Sequence, residues 1–293
     1  MKPAPVDYAA PDSVEAALAL LAEHGFDAKV LAGGQSLIPL LNFRLAQPAV
    51  LVDLNRLNDL SYVRESDTGG LLIGAMTRQS ALERSRAVAS RAPLLAEAVP
   101  LIAHPQIRNR GTVGGSLAHA DPAAELPVVA VALEARFRLR KPSGDRWVAA
   151  TDFYTGLMTT ALEPEELLVE VELPPLPART GCAFVELARR HGDYAAAGVA
   201  AVVSLDGEGR ISRARLVYLS AGDTPTAARE AAGQLEGQLP ETSAFSECAR
   251  LATSREIEPT ADIHATADYK RHLARVLTER ALRTAADRAE GRA

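Results

Sequence analysis

Two glycine pairs carry the residues best suited to hold a ligand. Residues 28–37 read A-K-V-L-A-G-G-Q-S-L. A short β-type run meets Gly33-Gly34, and a helix-like stretch opens at Ser36. Paired glycines permit positive φ and bring backbone N–H groups close to a ligand. Ser36 suits the N-cap of a helix through Leu37, Ile38, Pro39, Leu40 and Leu41, with Pro39 tolerable only in a first turn. Strand, tight turn and helix start make an anion cradle, most often for phosphate. The same order also serves as an ordinary strand-to-helix connection. Residues 111–127 read G-T-V-G-G-S-L-A-H-A-D-P-A-A-E-L-P. Thr112 and Ser116 flank Gly114-Gly115, placing hydroxyls beside exposed backbone. Asp121-Pro122 reads as the N-cap and N1 of a short helix carrying Glu125. Two such loops could grip the two halves of one long diphosphate, which points to a dinucleotide.

Other reactive side chains give weaker patterns. The chain has 6 His and 2 Cys, with no H-x-x-x-H pair, so a metal site is not expected. His104 precedes Pro105 in a turn and reads as a structural hydrogen-bonder; His119 lies beside the second glycine pair. Cys182 and Cys248 form no C-x-x-C cluster, and an iron–sulfur centre needs about four thiolates. Both read as buried thiols. Any iron–sulfur cluster serving this chain must therefore sit on another. Tyr194, in R-R-H-G-D-Y-A at 189–195, reads on its own as a strand-end tyrosine with its hydroxyl at the surface. G-x-G-x-x-G and G-x-x-x-x-G-K-S/T are both absent, which removes the Rossmann and P-loop readings.

The elements that position these residues follow from periodicity. Val14, Ala17, Leu18 and Leu21 predict a helix from Ser13 to Gly25. A strand at 28–31, the first loop, a helix to about Arg44 and a strand at 50–54 follow, closing a small α/β unit near residue 55. Residues 60–64 and 70–73 read as paired strands about a turn at 66–69. Thr77 reads as the cap of an Ala-rich helix, and 93–103 as another. Strands are expected at 135–140 and 167–173, and the prolines at 174–177 mark a boundary. Beyond it, 183–188, 195–205 and 211–219 predict a three-stranded antiparallel meander. Helices at 226–235, 242–253 and 267–289 follow. The expected parts are 1–55, 56–177 and 178–293, and the class is α+β.

At 293 residues the chain can build two or three cores. A net charge of −5 gives no electrostatic case for nucleic acid or an anionic membrane. No apolar run approaches the roughly 20 residues of a spanning helix. The N-terminal M-K-P-A-P lacks a signal-peptide apolar core, so a cytoplasmic location is expected.

A-G-G-Q-S-L at 32–37, H-P-Q-I-R-N-R-G-T-V-G-G-S at 104–116 and H-A-D-P-A-A-E-L-P at 119–127 resemble the FAD-binding medium subunit of molybdenum hydroxylases. That family includes the flavoproteins of carbon monoxide dehydrogenase and xanthine dehydrogenase. The resemblance runs from Tyr8 to about Tyr269. It implies a two-part FAD-binding fold like that of vanillyl-alcohol oxidase, a small α/β unit plus a mixed α+β sheet domain, then a C-terminal sheet with helices. It places the FAD pyrophosphate against Ala32, Gly33, Gly34, Gln35, Ser36 and Leu37, with Lys29, Val30 and Leu31 toward the adenine. Ile102, Thr112, Gly114, Gly115, Ser116, Ala118, His119 and Asp121 line the other side. Glu125 accepts from a ribityl or ribose hydroxyl, Leu168 packs near the adenine, and Tyr194 shields one face of the isoalloxazine. Many relatives have His in place of Gln35 and Asn in place of Ser116. Tyr194 likens the chain to the prokaryotic carbon monoxide dehydrogenase type.

The resemblance implies an electron-transfer subunit. A large molybdopterin subunit oxidises substrate, a small subunit carries 2Fe–2S clusters, and FAD here passes electrons to an acceptor. A dimer of heterotrimers is the expected assembly. Two other classes stand beside it. One is a self-sufficient FAD-dependent oxidoreductase of the same flavin fold, for which no acid–base constellation is visible. The other is a nucleotide-binding module without redox chemistry.

Overall fold

A computed structural model describes residues 2–292. Its first sheet is parallel. Strands β1 (Asp7–Ala9), β2 (Ala28–Leu31) and β3 (Val50–Asp53) lie in the order β1-β3-β2. Helix α1 (Val14–His24) joins the first two. Ser13 Oγ accepts from the Ala16 amide at 3.1 Å, and Gly25 closes the helix at φ 51°. Ala17, Leu18 and Leu21 bury against Val52 and Leu54. Helix α2 (Leu37–Asn42) stops short of residue 44, where Arg44 turns left-handed at φ 57°. Ser36 occupies its N-cap position but makes no capping hydrogen bond. β1 falls outside the expected elements, being three largely exposed residues, too few to show alternation.

The second region is an antiparallel sheet of β4 (Val63–Glu65), β5 (Leu71–Gly74), β6 (Arg136–Lys141), β7 (Gly144–Ala149) and β10 (Leu167–Leu173), ordered β4-β5-β10-β6-β7. A hairpin of β8 (Tyr154–Gly156) and β9 (Thr159–Thr160) leads into β10. The helices are α3 (Gln79–Glu83), α4 (Arg86–Arg91), α5 (Pro93–Ala98), α6 (Pro105–Arg108), α7 (Val113–His119), α8 (Glu125–Ala132) and α9 (Ala150–Phe153).

Four expectations need correction here. Leu60 belongs to a 3-10 turn, and the strand begins at Val63. Thr77 caps no helix; its Oγ1 accepts from the Tyr62 amide at 3.0 Å and donates to the Tyr62 carbonyl at 2.9 Å. The helix from Pro93 ends at Ala98 and tightens into a 3-10 turn at Val99–Leu101, where Pro100 supplies no amide. Asp121 does not cap α8; its Oδ1 accepts from the Ala123 amide at 2.8 Å, and Ala124 holds the N-cap position.

The third sheet is β11 (Thr180–Ala188), β12 (Ala195–Leu205), β13 (Ile211–Leu219) and β14 (Thr226–Ala227), antiparallel in sequence order. The short β14 takes the first residues of the expected helix at 226, leaving α10 (Arg229–Gly233). Helix α11 (Thr242–Leu251) ends in a π turn at Ala252–Glu256, and α12 (Ala267–Ala289) has its expected bounds. One face of this sheet carries Ala183, Val199, Ala201 and Val203 against α12 residues such as Ala281 and Leu282. The other carries Cys182 and Phe184 against α5 and Ala200 and Val202 against α8. Because α8 is apolar on all sides, it is buried between the second and third regions, and Leu126 through Ala132 are all inaccessible. Each large side chain so buried contributes about 1.5–3 kcal/mol. Among the described residues no helix is long and apolar enough to cross a membrane.

Candidate functional site

The end of β2 runs directly onto the start of α7. Gly33 lies so near the second segment that a Cβ there would sit 2.5 Å from the Arg110 carbonyl oxygen and 2.8 Å from Gly111 Cα. Gly115 faces Ala32, whose Cβ would lie 3.3 Å from a Cβ at 115. The two glycine pairs thus meet edge to edge.

Their backbones differ. Among the described residues, the amides of Gly33, Gly34, Gln35 and Ser36 donate to no protein acceptor. These residues are half-buried, and Gly34 adopts φ 73°. They are four successive free donors in a turn that precedes a helix, which is the chemistry of an anion nest. The Gln35 side chain turns back, donating Nε2 to the Gly33 carbonyl at 3.0 Å.

The second pair forms no loop, contrary to expectation. Thr112 is the N-cap of α7, and Gly114 and Gly115 lie in its first turn. Every amide there is satisfied. Val113 donates to the Thr77 carbonyl at 3.0 Å and Gly114 to the Ala75 carbonyl at 2.7 Å. Gly115 donates to Thr112 Oγ1 at 3.1 Å and Ser116 to the Thr112 carbonyl at 3.1 Å. Glycine is required for approach instead, since a Cβ at Gly114 would sit 2.5 Å from Ala75 Cβ. Helical spacing then splits the expected residues. Thr112 and Gly114 are buried behind, while Gly115, Ser116, Ala118 and His119 form the half-exposed face toward the seam.

A polar chain ties the seam together. Asp53 Oδ1 accepts from the Asn55 amide at 2.8 Å, and Asn55 Nδ2 donates to the Ala32 carbonyl at 2.9 Å. Arg78 donates to Asn55 Oδ1 at 2.6 Å and, through its other amino group, to the Arg110 carbonyl. Burial opposes ionisation of Asp53, but hydrogen bonds from Tyr8 and Asn55 and the charge of Arg110 outweigh it and hold the carboxyl below its usual range. Arg78 is lowered by desolvation and then by Arg110. On the far flank, buried Arg108 donates to the Ile102 carbonyl at 2.8 Å and pairs with Glu83 at 3.0 Å, fixing the turn at 102–108. Sequence reasoning missed Asp53, Asn55, Arg78 and this role of Arg108, because their partners are distant in the chain and leave no local pattern.

The remaining expected residues fall in three places. Desolvation lowers the His119 imidazole, Asp121 opposes it, and the exposed Lys29 adds to the lowering. Ile102 and Leu168 are buried in the core with Val113 and Leu117. Leu168 is thus largely covered by its own core. Val30, Leu31 and Leu37 are half-buried around the first turn. Tyr194 is 70% exposed, yet its phenol is raised by desolvation and by the charges of Asp121 and Glu125. His104 is not the hydrogen-bonder expected; its ring packs on Gly192, where a Cβ would lie 2.2 Å from it. Cys182 and Cys248 are buried free thiols, pushed up to about 11 and about 12 by burial. Among the described residues no three His, Cys, Asp or Glu side chains gather as a metal site.

Two separate recesses, of about 310 and about 270 Å³, lie elsewhere, beside α1 and β10 and between α9 and β14.

Residues 4–176 match the model of the FAD binding domain in molybdopterin dehydrogenase, and residues 182–285 match the CO dehydrogenase flavoprotein C-terminal domain. The chain belongs to this family. It is an FAD-binding oxidoreductase subunit of the molybdopterin-dependent dehydrogenase complexes. The alpha subunit of the 6-hydroxypseudooxynicotine dehydrogenase complex of Paenarthrobacter nicotinovorans is 45% identical over 99% of this chain and 97% of its own length. The carbon monoxide dehydrogenase medium chain of Hydrogenophaga pseudoflava is 41% identical over 97% of this chain and 98% of its own. In a solved carbon monoxide dehydrogenase from that organism, lacking the Mo-pyranopterin moiety, the matching chain superposes with a TM-score of 0.95. That match is at 42% identity and covers 98% of this chain and 99% of the other. For an FAD subunit the donor set is chemically apt. Four free amides suit a diphosphate, and the Ser36 and Ser116 hydroxyls with the Glu125 carboxyl suit a polyol chain.

Proposed function

We propose that this chain seats one FAD along the seam between the first and second sheets and serves as the electron outlet of a molybdenum hydroxylase. The free amides of Gly33 through Ser36 carry this reading, because they lie where Gly33 meets Arg110 and Gly111 and where Ala32 meets the start of α7. In this arrangement Gly33, Gly34, Gln35 and Ser36 hold the diphosphate and Leu37 closes the turn. Lys29, Val30 and Leu31 flank the adenosine end, beside Ala32. Gly115, Ser116, Ala118 and His119 line the opposite wall, with Asp121 and Glu125 beyond them. Tyr194 covers the ring system, with Thr112, Gly114, Ile102 and Leu168 supporting from behind.

The flavin supplies the step between one-electron donors and a two-electron acceptor. The protein's part is to orient it, exclude water from one face and set the local charge. Electrons arrive from 2Fe–2S clusters on a small subunit, substrate is oxidised on a large molybdopterin subunit, and the assembly is a cytoplasmic dimer of heterotrimers. Within the chain the working units are 1–55 and 56–177 for FAD and 178–293 as the C-terminal domain. The curated relatives are named for substrates as different as carbon monoxide and 6-hydroxypseudooxynicotine. Substrate choice accordingly lies outside this chain.

The test is reconstitution of the FAD-free chain with FAD, read by visible absorbance and stoichiometry, then assay of the yellow chain alone on candidate substrates. One FAD per chain with no turnover supports the reading. Turnover by the lone chain would establish the self-sufficient flavoenzyme instead, and a colourless chain would contradict both.

A further inference from the structure

The loop that carries Tyr194 is held from outside its own sheet. β11 ends at Ala188 and β12 begins at Ala195, so residues 189–194 link two strands of the third sheet. Within the loop the Asp193 amide donates to the Arg190 carbonyl at 3.1 Å, and Gly192 turns at φ 89°. The exposed Tyr194 ring keeps one place only if the backbone on each side of it is fixed. Both sides are fixed, and both by the second region.

On the first side stands His104. The three heavy atoms nearest to a Cβ built at Gly192 are Cε1, Nδ1 and Nε2 of its imidazole, and any side chain at 192 would overlap the ring. His104 is itself firmly placed. Its carbonyl accepts from the Ile107 and Arg108 amides at 2.9 and 3.1 Å, and the Arg108 guanidinium donates to the Ile102 and Ala103 carbonyls at 2.8 and 3.2 Å. On the second side stands Ser220, which follows β13. Its hydroxyl donates to the Ala195 carbonyl at 2.8 Å and its amide to the Pro122 carbonyl at 2.8 Å. Pro122 lies between α7 and α8, so the start of β12 is tied to the segment that follows the α7 face. Ser220 adopts φ 54°, a conformation that a residue other than glycine keeps where its surroundings hold it. A further contact, Arg189 to His264 Nδ1 at 2.9 Å, stays within the third region and does not register the loop on the second.

We propose that His104 and Ser220 are positioning residues for Tyr194, one bracing Gly192 and the other tying Ala195 to Pro122, and that together they set where the phenol stands over the flavin. The inference rests on the FAD reading above, in which Tyr194 covers the ring system. Each residue acts through the backbone beside Tyr194.

The experiment reads flavin fluorescence of the full chain loaded with FAD, because a phenol against an isoalloxazine quenches its emission. Tyr194→Phe gives the unquenched level. Ser220→Ala removes one hydrogen bond and should move the balance between seated and released phenol about fivefold toward release, raising emission toward that level. His104→Ala should raise emission too, whereas His104→Phe, which keeps a planar ring against Gly192, should stay quenched. A merely structural role would lower the unfolding midpoint of Ser220→Ala and His104→Ala and leave the emission of the folded, FAD-bound chain unchanged. That result overturns the proposal. So does unchanged emission in Tyr194→Phe, since no phenol would then lie on the ring. Amide exchange of the FAD-free chain gives a separate readout. Residues 191–195 should exchange faster in His104→Ala and in Ser220→Ala while 113–119 stay as they are, and unchanged exchange at 191–195 overturns the brace. Failure of FAD to bind would contradict the FAD reading, while exchange still decides whether these two residues hold the loop.

Discussion

Gly33 and Gly114 stand at matching positions in two Gly-Gly pairs, and at both a side chain would collide with neighbouring protein at 2.5 Å. Their backbones serve opposite ends. Around Gly33 four successive amides are left free, whereas around Gly114 every amide is bonded within the protein. The first pair offers donors; the second lets a helix come close enough for those donors to face a wall. Glycine content alone does not distinguish a ligand nest from a packing contact. What distinguishes them is where the amides go.

Substitutions should separate the two roles. Gly33→Ala forces the first turn away from the Arg110 carbonyl and displaces its amides. FAD affinity should fall about a hundredfold, the worth of two charge-assisted hydrogen bonds at about 1.5 kcal/mol each. Fluorescence titration of the purified variant measures this. Gly114→Ala should instead lower stability by about 2–3 kcal/mol through overpacking against Ala75. Chemical denaturation reads that loss, and FAD affinity of the folded fraction should change less than about threefold. A large affinity loss in Gly114→Ala without destabilisation would erase the distinction.

Arg78→Ala removes the link between Asn55 and the Arg110 carbonyl. It should weaken FAD binding about tenfold and stability by about 1 kcal/mol, since each lost hydrogen bond contributes about that much. Equal losses in both, or none in affinity, would show that the seam holds its shape without this tie.

The smallest effect concerns pH. Glu125 and Glu186 are raised on folding, so the folded chain keeps protons that the unfolded chain releases. Their contribution to stability is complete below the ordinary carboxylate range and is lost as pH rises through about 7 and about 8. Glu186→Gln should therefore gain on the wild type as pH rises from about pH 5 to about pH 8.5. Urea denaturation at the two pH values checks this, and a gap that narrows would reverse the sign.

Long regular elements were legible in the sequence. β10, β12, β13 and α12 have their expected bounds because apolar periodicity runs their full length. β7 escaped, since its sheet-edge position leaves it polar and largely exposed. The first turn of α7 was hidden because two glycines disfavour a helix locally; packing against Ala75 and Ala32 overrides that preference. Of the site, the free amides at 33–36 followed from the strand–glycine–helix order. The Asp53–Asn55–Arg78 chain did not, because it joins residues that no spacing connects.

Amide hydrogen exchange of the full chain, with and without FAD, tests the contrast between the glycine pairs most directly. Gly33 through Ser36 should exchange fast without FAD and slow at least tenfold when it binds, as free donors acquire acceptors. Gly114 through Ser116 should be protected in both states. Protection gained at 114–116 while 33–36 stays unchanged would contradict the account.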